Sequence, residues 1–322
     1  MTPGTAWLPP WLQGPWEVPG VTDVLVNGPG EVWIDRGRGL ERWEAARDVT
    51  EAQVREAAVR LASLAGRRLD DASPVTDARL PDGSRLHAVL PPVAERGTAI
   101  SLRAVRSRAF TLEDLALTGM IASSDAPALE GLVRERASVL ITGATGSGKT
   151  TLLASLLSLV DARERIVVIE EAGELAPDHP HVVRLVERRA NVDGAGSVGL
   201  DRLVKEALRM RPDRIVLGEC RGPEVREVLL ALNTGHRGGF ATLHANGLEE
   251  VPARLLGLAA LAGLSAEAAA MHAAAAFDVV LHVERSGGVR RLTGWGALVL
   301  DDAGLRAEPL ARDRPGGRAE AA

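Results

Sequence analysis

An apolar run, Val139-Leu140-Ile141, leads into Gly143-Ala144-Thr145-Gly146-Ser147-Gly148-Lys149-Thr150 and then into Thr151-Leu152-Leu153. The segment fits G-x-x-x-x-G-K-[ST], with a strand before the glycine loop and a helix start after it. Such a loop turns successive backbone N–H groups toward one point, and the helix dipole adds positive potential there. The sequence therefore predicts a nucleoside triphosphate held by residues 143–151, with Lys149 reaching the β/γ-phosphates and the Thr150 hydroxyl placed on Mg²⁺. The plain alternative is a glycine-rich turn between core elements. Three glycines, the Lys-Thr pair and the flanking pattern together speak against it.

A chain of 322 residues is long for one core, and the usual domain size predicts two domains. Aromatic residues make up only 3% of it, so packing is expected to rest on Ala, Leu and Val. A formal net charge of −5 gives no electrostatic footprint for nucleic acid, although a basic ring lumen inside an acidic exterior would escape this test. The single cysteine, Cys220, excludes an intramolecular disulfide and a cysteine zinc cluster and is expected to be a buried small hydrophobe. Residues 1–10 lack a basic region followed by an apolar one, so a cytoplasmic protein is expected. The stretch 255–283 is interrupted by Ser265, Glu267, His272 and Asp278, and it reads as two core helices and a strand, not a membrane span.

Trp7, Trp11 and Trp16 alternate with Pro9, Pro10 and Pro15, a pattern expected to resist regular structure. It reads as an arm packed on its own domain or on a neighbouring subunit. Residues 21–35 read as two strands and a turn, 50–64 as a helix with a Thr cap, 78–89 as a hairpin and 98–105 as a strand. These compose a small α+β domain over 1–108. From Thr111-Leu112-Glu113-Asp114, a helix start with acids in its first turn, strands alternate with helices. Strands are predicted at 138–142, 165–170, 182–186, 214–219, 240–244 and 278–283, and helices at 149–160, 200–210, 223–233, 248–261 and 266–276. Apolar strands separated by helices indicate an α/β domain over 109–311, with a mostly parallel sheet and ligands at the carboxyl ends of its strands. A disordered tail is expected over 312–322.

Hydrolysis at a γ-phosphate needs an acid near Mg²⁺ and a group that orients the attacking water. The strand at 214–219 ends in Glu219, whereas Asp213 lies at its other end, roughly 20 Å away at about 3.3 Å per residue. Glu219 is therefore the expected metal-side acid, and Gly218 allows close backbone approach beside it. The strand at 165–170 delivers Glu170, Glu171 and Glu174 into one loop, where mutual repulsion can raise one carboxyl and tune it as a base. A solvated acidic turn is the alternative. Asn233-Thr234-Gly235-His236-Arg237-Gly238-Gly239 and Thr242-Leu243-His244-Ala245-Asn246 flank a further strand, and a histidine there could sense the γ-phosphate. Each histidine could equally be structural.

Together these segments resemble the secretion ATPase superfamily of type II and type IV secretion and type IV pilus assembly, most nearly its Tad (tight adherence) pilus-assembly members. The likeness lies in Ile169-Glu170-Glu171-Ala172-Gly173-Glu174-Leu175, similar to the acidic box, and in Met210-Arg211-Pro212-Asp213-Arg214 through Gly218-Glu219-Cys220-Arg221-Gly222, similar to the Walker B region. It extends to the His236 and His244 segments, similar to the histidine box, and to Val21-Thr22-Asp23-Val24 and Asp82-Gly83-Ser84-Arg85 in the first domain. The resemblance implies a RecA-like ATPase domain after a PAS-like amino-terminal domain, in a homohexamer that binds ATP and Mg²⁺ between the two domains. It implies that Glu174 is the base or water-orienting residue, that Glu219 sits beside Mg²⁺, and that Glu170, His236 and His244 belong to the catalytic set. Arg85, Arg103 and Arg221 would serve the nucleotide, the first two as cationic fingers from the first domain. Glu171 and Arg237 depart from the pattern, standing where the family usually has Asp and an acid. Inner-membrane platform proteins of a pilus or secretion system are the implied partners, with the protein at the inner face of the membrane.

The competing readings are a nucleic-acid translocase or conjugation motor, for which no basic stripe with interleaved aromatics is present, and a small-molecule kinase, which needs an acceptor pocket.

Overall fold

The computed structural model describes residues 7–37, 39–104, 109–188 and 196–310. The chain divides into two compact units, Met1–Arg106 and Ser107–Ala322. The tail expected at 312–322 lies outside the described residues.

In the first unit, β1 (Asp23–Val26), β2 (Val32–Asp35), β3 (Leu40–Arg42), β4 (Val75–Arg79), β5 (Arg85–Val89) and β6 (Ala99–Arg103) form one antiparallel sheet, ordered β3-β2-β1-β6-β5-β4. Alternate residues point to one face, so Val24, Val26, Val32, Ile34, Leu86, Ile100 and Leu102 are all buried. Two helices contribute to the same core, α1 (Pro10–Trp16) and α2 (Glu51–Leu64). Gln53 Oε1 accepts the Thr50 amide at 2.9 Å, which closes the start of α2. The Trp/Pro segment, expected to be irregular, contains α1. Pro10 stands at its first position, where no N–H is required, and Leu8 and Leu12 are buried against the unit's own core.

In the second unit the described elements run α3 (Leu112–Leu117), α4 (Ala126–Arg134), β7 (Val139–Thr142), α5 (Lys149–Leu157), β8 (Ile166–Glu170), β9 (Val182–Val186), α6 (Leu200–Leu208) and β10 (Arg214–Cys220). They continue as α7 (Glu224–Asn233), β11 (Phe240–Leu243), α8 (Val251–Leu261), α9 (Ala266–Ala276), β12 (Val279–Ser286), β13 (Val289–Asp301) and β14 (Gly304–Pro309). The eight-stranded sheet is ordered β14-β13-β12-β7-β11-β10-β8-β9. From β12 to β9 all neighbours are parallel, while β13 and β14 extend the sheet antiparallel beyond β12.

The inner strands β7, β8 and β11 are buried along their whole length, while β9 at the sheet edge is partly exposed, and odd and even residues of the inner strands feed different cores. Val139, Ile141, Val168 and Leu281 pack with α3, α4 and α5, whereas Leu140, Val167, Ile215 and Val280 pack with α6 to α9. Cys220 belongs to the second of these cores, and burial pushes its thiol well above the ordinary range. Strands β13 and β14 were not expected, and the run of β13 is broken by Gly294 and Gly296. A Cβ on Gly294 would stand 2.7 Å from Leu248 Cδ1, so the glycine makes room for a packed leucine and does not end the strand.

Candidate nucleotide site

The parallel register brings the ends of β7, β10 and β11 together. Thr142 of β7 pairs with Leu243 of β11, and Leu243 with Cys220 of β10, so the segments that follow all emerge at one edge. That edge carries the glycine loop. Gly143, Gly146 and Gly148 all have positive φ, and a Cβ on Gly143 would lie 2.1 Å from the Val283 carbonyl oxygen. Only glycine lets the loop close against β12. Ala144, Thr145 and Gly146 are exposed on it, Ser147 is buried, and Thr150 and Thr151 occupy the first turn of α5, with Thr150 exposed.

Lys149 is 7% exposed and donates to the Gly143 and Ala144 carbonyls at 2.8 and 3.1 Å. Its Nζ lies 4.0 Å from Glu219 Oε1. Burial lowers the Lys149 pKa, with the Glu219 charge opposing the shift. His244 Nε2 lies 3.2 Å from Glu219 Oε1 and 3.1 Å from Thr145 Oγ1, linking the end of β10 to the loop. Burial and then Lys149 hold the His244 pKa below the ordinary histidine value. Arg221 is paired with Glu219, and its Nη1 reaches Glu171 Oε2 at 2.7 Å. Lys149, Glu219, His244, Arg221 and Glu171 thus form one web of charge.

The other two acids of the loop after β8 are held differently. Glu170 is buried. Its Oε1 accepts the Leu175 amide at 2.8 Å, and its Oε2 has no partner among the described residues. Burial, followed by the charge of Glu174, raises its pKa. Gly218 passes close by, since a Cβ there would stand 2.8 Å from Glu170 Cγ. Glu174 is exposed. Asp213 sits at the opposite edge, where its Oδ2 accepts the Arg165 amide at 2.8 Å.

His236 requires a correction. It precedes β11, whose Phe240 pairs with Val139 at the amino end of β7, so the length of the strand separates it from His244 and the loop. Parallel register brings only carboxyl ends to the loop, and the two histidines do not share a site within one chain. Its neighbour Arg237 lies 3.6 Å from Asp278 at that same far edge.

Arg85 and Arg103 are directly opposed on β5 and β6 of the first unit. Arg85 pairs with Asp77 and Arg103 with Asp23, both at 2.9 Å. These carboxylates offset the repulsion between the facing cations.

Sequence reasoning missed the arginines of the β12–β13 hairpin. Arg290 Nε donates to the Gly146 carbonyl at 2.9 Å. The sign was present in Ser286-Gly287-Gly288-Val289, a two-glycine turn between alternating runs.

The donor set fits the groups it would hold. A glycine cradle at a helix start suits phosphate oxygens, and Thr150 and Glu219 supply hard oxygens suited to Mg²⁺. No group of three or more His, Cys, Asp or Glu able to hold a metal occurs among the described residues.

Residues 18–284 match the family model described as type II/IV secretion system protein. The chain is 52% identical over 278 residues to a Mycobacterium tuberculosis protein provisionally named for conjugal transfer, covering 84% of this chain and 79% of that one. It is 31% identical over 281 residues to the conjugal transfer protein TrbB of Rhizobium radiobacter, covering 84% and 82%. It is also 31% identical over 267 residues to the type IV secretion system protein VirB11 of Brucella suis, covering 75% and 73%. Among solved structures, the pilus retraction motor PilT with bound ADP shares the fold, with a TM-score of 0.63 at 19% identity over 94% of this chain and 84% of that one. The chain belongs to the type II/IV secretion system protein family, and with its phosphate loop it is an ATPase of that family.

Proposed function

We propose that this ATPase works as a homohexameric ring at the inner face of the cytoplasmic membrane, where hydrolysis drives Tad-type pilus assembly or type II or type IV protein secretion. The observation that carries the reading is the web in which Lys149, Glu219 and His244 meet at the glycine loop. Lys149 would exchange the Gly143 and Ala144 carbonyls for β- and γ-phosphate oxygens. Thr150 and Glu219 would hold Mg²⁺, which neutralises charge on the triphosphate. Glu174 orients the attacking water, and Glu170, through its bond to the Leu175 amide, fixes the loop that carries Glu174. His244, neutral because its pKa is depressed, senses the γ-phosphate without adding a second cation beside Lys149. Arg221 balances Glu171 and Glu219 near the phosphates. Arg85 and Arg103 supply positive charge to the transferring phosphoryl, and platform proteins of the inner membrane receive the motion. Among the described residues no helix is long and apolar enough to cross a membrane, so attachment would run through such partners.

The full chain should release phosphate from ATP in the presence of Mg²⁺ and without nucleic acid. Lys149→Ala and Glu174→Gln should each abolish turnover, and light scattering should show nucleotide-dependent oligomers. A chain that stays monomeric at every nucleotide and protein concentration would refute the ring.

A second reading, a motor for DNA transfer, is favoured by the conjugal-transfer names of two relatives. The net charge of −5 weighs against direct contact with nucleic acid. Stimulation of hydrolysis by single-stranded DNA at low salt would support it, and an unchanged rate and mobility would remove it.

A further inference from the structure

Strand β11 ends at Leu243, and the chain leaves the sheet through His244-Ala245-Asn246 before a 3-10 turn, Leu248–Glu250, and α8. His244 meets Thr145 of the phosphate loop and Glu219 through one ring nitrogen, Nε2, so where the ring stands depends on the backbone that carries it. That backbone lies beyond the last residue of the strand, where ladder hydrogen bonds stop and its polar groups need other partners. Two charged side chains supply them. Arg254 Nε donates to the His244 carbonyl at 3.1 Å. Glu250 Oε2 accepts the Asn246 amide and the Asn246 Nδ2 group, each at 3.0 Å.

Glu250 caps the start of α8 and Arg254 follows it by four residues, the spacing at which opposite charges on a helix pair with each other. An arginine serving only the helix surface would be satisfied by that glutamate. Instead both side chains reach back to the same three-residue segment. The bonds from Asn246, ahead of the charge of Arg254, hold the Glu250 carboxyl below its ordinary value. The platform under them is firm, since Val251, Leu255 and Ala259 of α8 are buried in the core. Leu248 is packed in turn against Gly294 of β13. The backbone at His244 and at Asn246 is therefore tied to a buried helix by two charge-assisted contacts.

We propose that Arg254 is a positioning residue for hydrolysis: by holding the His244 carbonyl, with Glu250 holding Asn246, it sets the His244 ring against Thr145 and Glu219. The proposal rests on the reading that His244 acts at the γ-phosphate. Arg254 acts through His244, so its removal costs turnover of ATP and spares the binding of ADP, which lacks that phosphate.

The test is a double-mutant cycle on the full chain, read by steady-state ATP hydrolysis and by ADP binding. Arg254→Ala should lower kcat about ten- to a hundredfold, the scale of a displaced working group, while ADP affinity holds. Arg254→Lys should recover part of the loss, because it keeps a cationic donor without the fork. In a His244→Ala background, Arg254→Ala should have no further effect, since the group it positions is gone. Arg254 is exposed, and should its alanine variant still unfold, Arg254→Lys and Glu250→Ala carry the same cycle. Full additivity of the two substitutions would overturn the proposal, as would wild-type kcat in Arg254→Ala beside a loss in His244→Ala. An equal loss of ADP affinity and kcat would mark a general loosening of the site and overturn it too. Unchanged hydrolysis in His244→Ala would instead sink the role of His244 on which the proposal stands.

Discussion

At the residue scale, Glu170 shows how position divides the labour among similar carboxylates. Its Oε1 accepts the Leu175 amide, but burial and neighbouring Glu174 favour its neutral form. A carboxyl raised in the folded state binds its proton more tightly there than when unfolded. It therefore contributes stability below its ordinary value of 4.5, and that contribution is lost as pH rises through the raised folded value. Glu170→Gln keeps an acceptor for Leu175 and removes the charge. Its melting temperature should gain on the wild type as pH rises from about 4.5 toward neutrality, as read by thermal scans across that window. Parallel curves would mean that burial does not control this group. The sequence placed three carboxylates in one loop. It could not say which was buried, since this depends on Gly218 passing alongside and on Leu175 folding back, both contacts between separated segments.

At the element scale, the phosphate loop is fixed by what its glycines exclude. A Cβ on Gly143 would collide with the Val283 carbonyl, a backbone atom that cannot step aside, whereas one on Gly146 would meet only the end of the Arg285 side chain. Both positions also have positive φ. Gly143→Ala should therefore destabilise the chain by about 3 kcal/mol or more and abolish nucleotide binding, while Gly146→Ala should cost about 1–2 kcal/mol. Urea unfolding of the two variants checks the difference, and equal losses would show that the approach of β12 does not constrain the loop. The inner parallel strands β7, β8 and β11 were legible because double burial writes them as apolar runs. The 13-residue β13 was not, because its glycines serve Leu248 from a distant element. The amino-terminal helix α1 was hidden by prolines: Pro10 stands at its first position, where no N–H is required, and Pro15 one residue before its end.

At the scale of the whole molecule, each unit has its own core: Leu61, Leu86 and Leu102 centre the first, and the two faces of the parallel sheet the second. Residues 109–310 should then fold alone and bind ADP, since every group of the loop web lies within them. If Arg85 and Arg103 act as the proposed cationic fingers, hydrolysis by this fragment should fall about a thousandfold, the scale of losing one such finger. Binding and phosphate release measured on the same preparation separate the two effects. Full turnover by this fragment would remove the arginines of the first unit from the mechanism.

The sequence by itself determined the local chemistry: a glycine loop between strand and helix, an acid ending a buried strand, and apolar runs that must form a covered parallel sheet. These are written in neighbouring residues, where backbone conformation and periodicity suffice. Only the tertiary structure decided which of those residues meet. Parallel register carries His244 to the loop and leaves His236 at the far edge, burial singles out Glu170 among its neighbours, and an antiparallel hairpin brings Arg285 and Arg290 back to a loop about 140 residues earlier in the chain. Strand pairing sets such meetings by hydrogen bonds between distant segments, and no local pattern contains that partner choice.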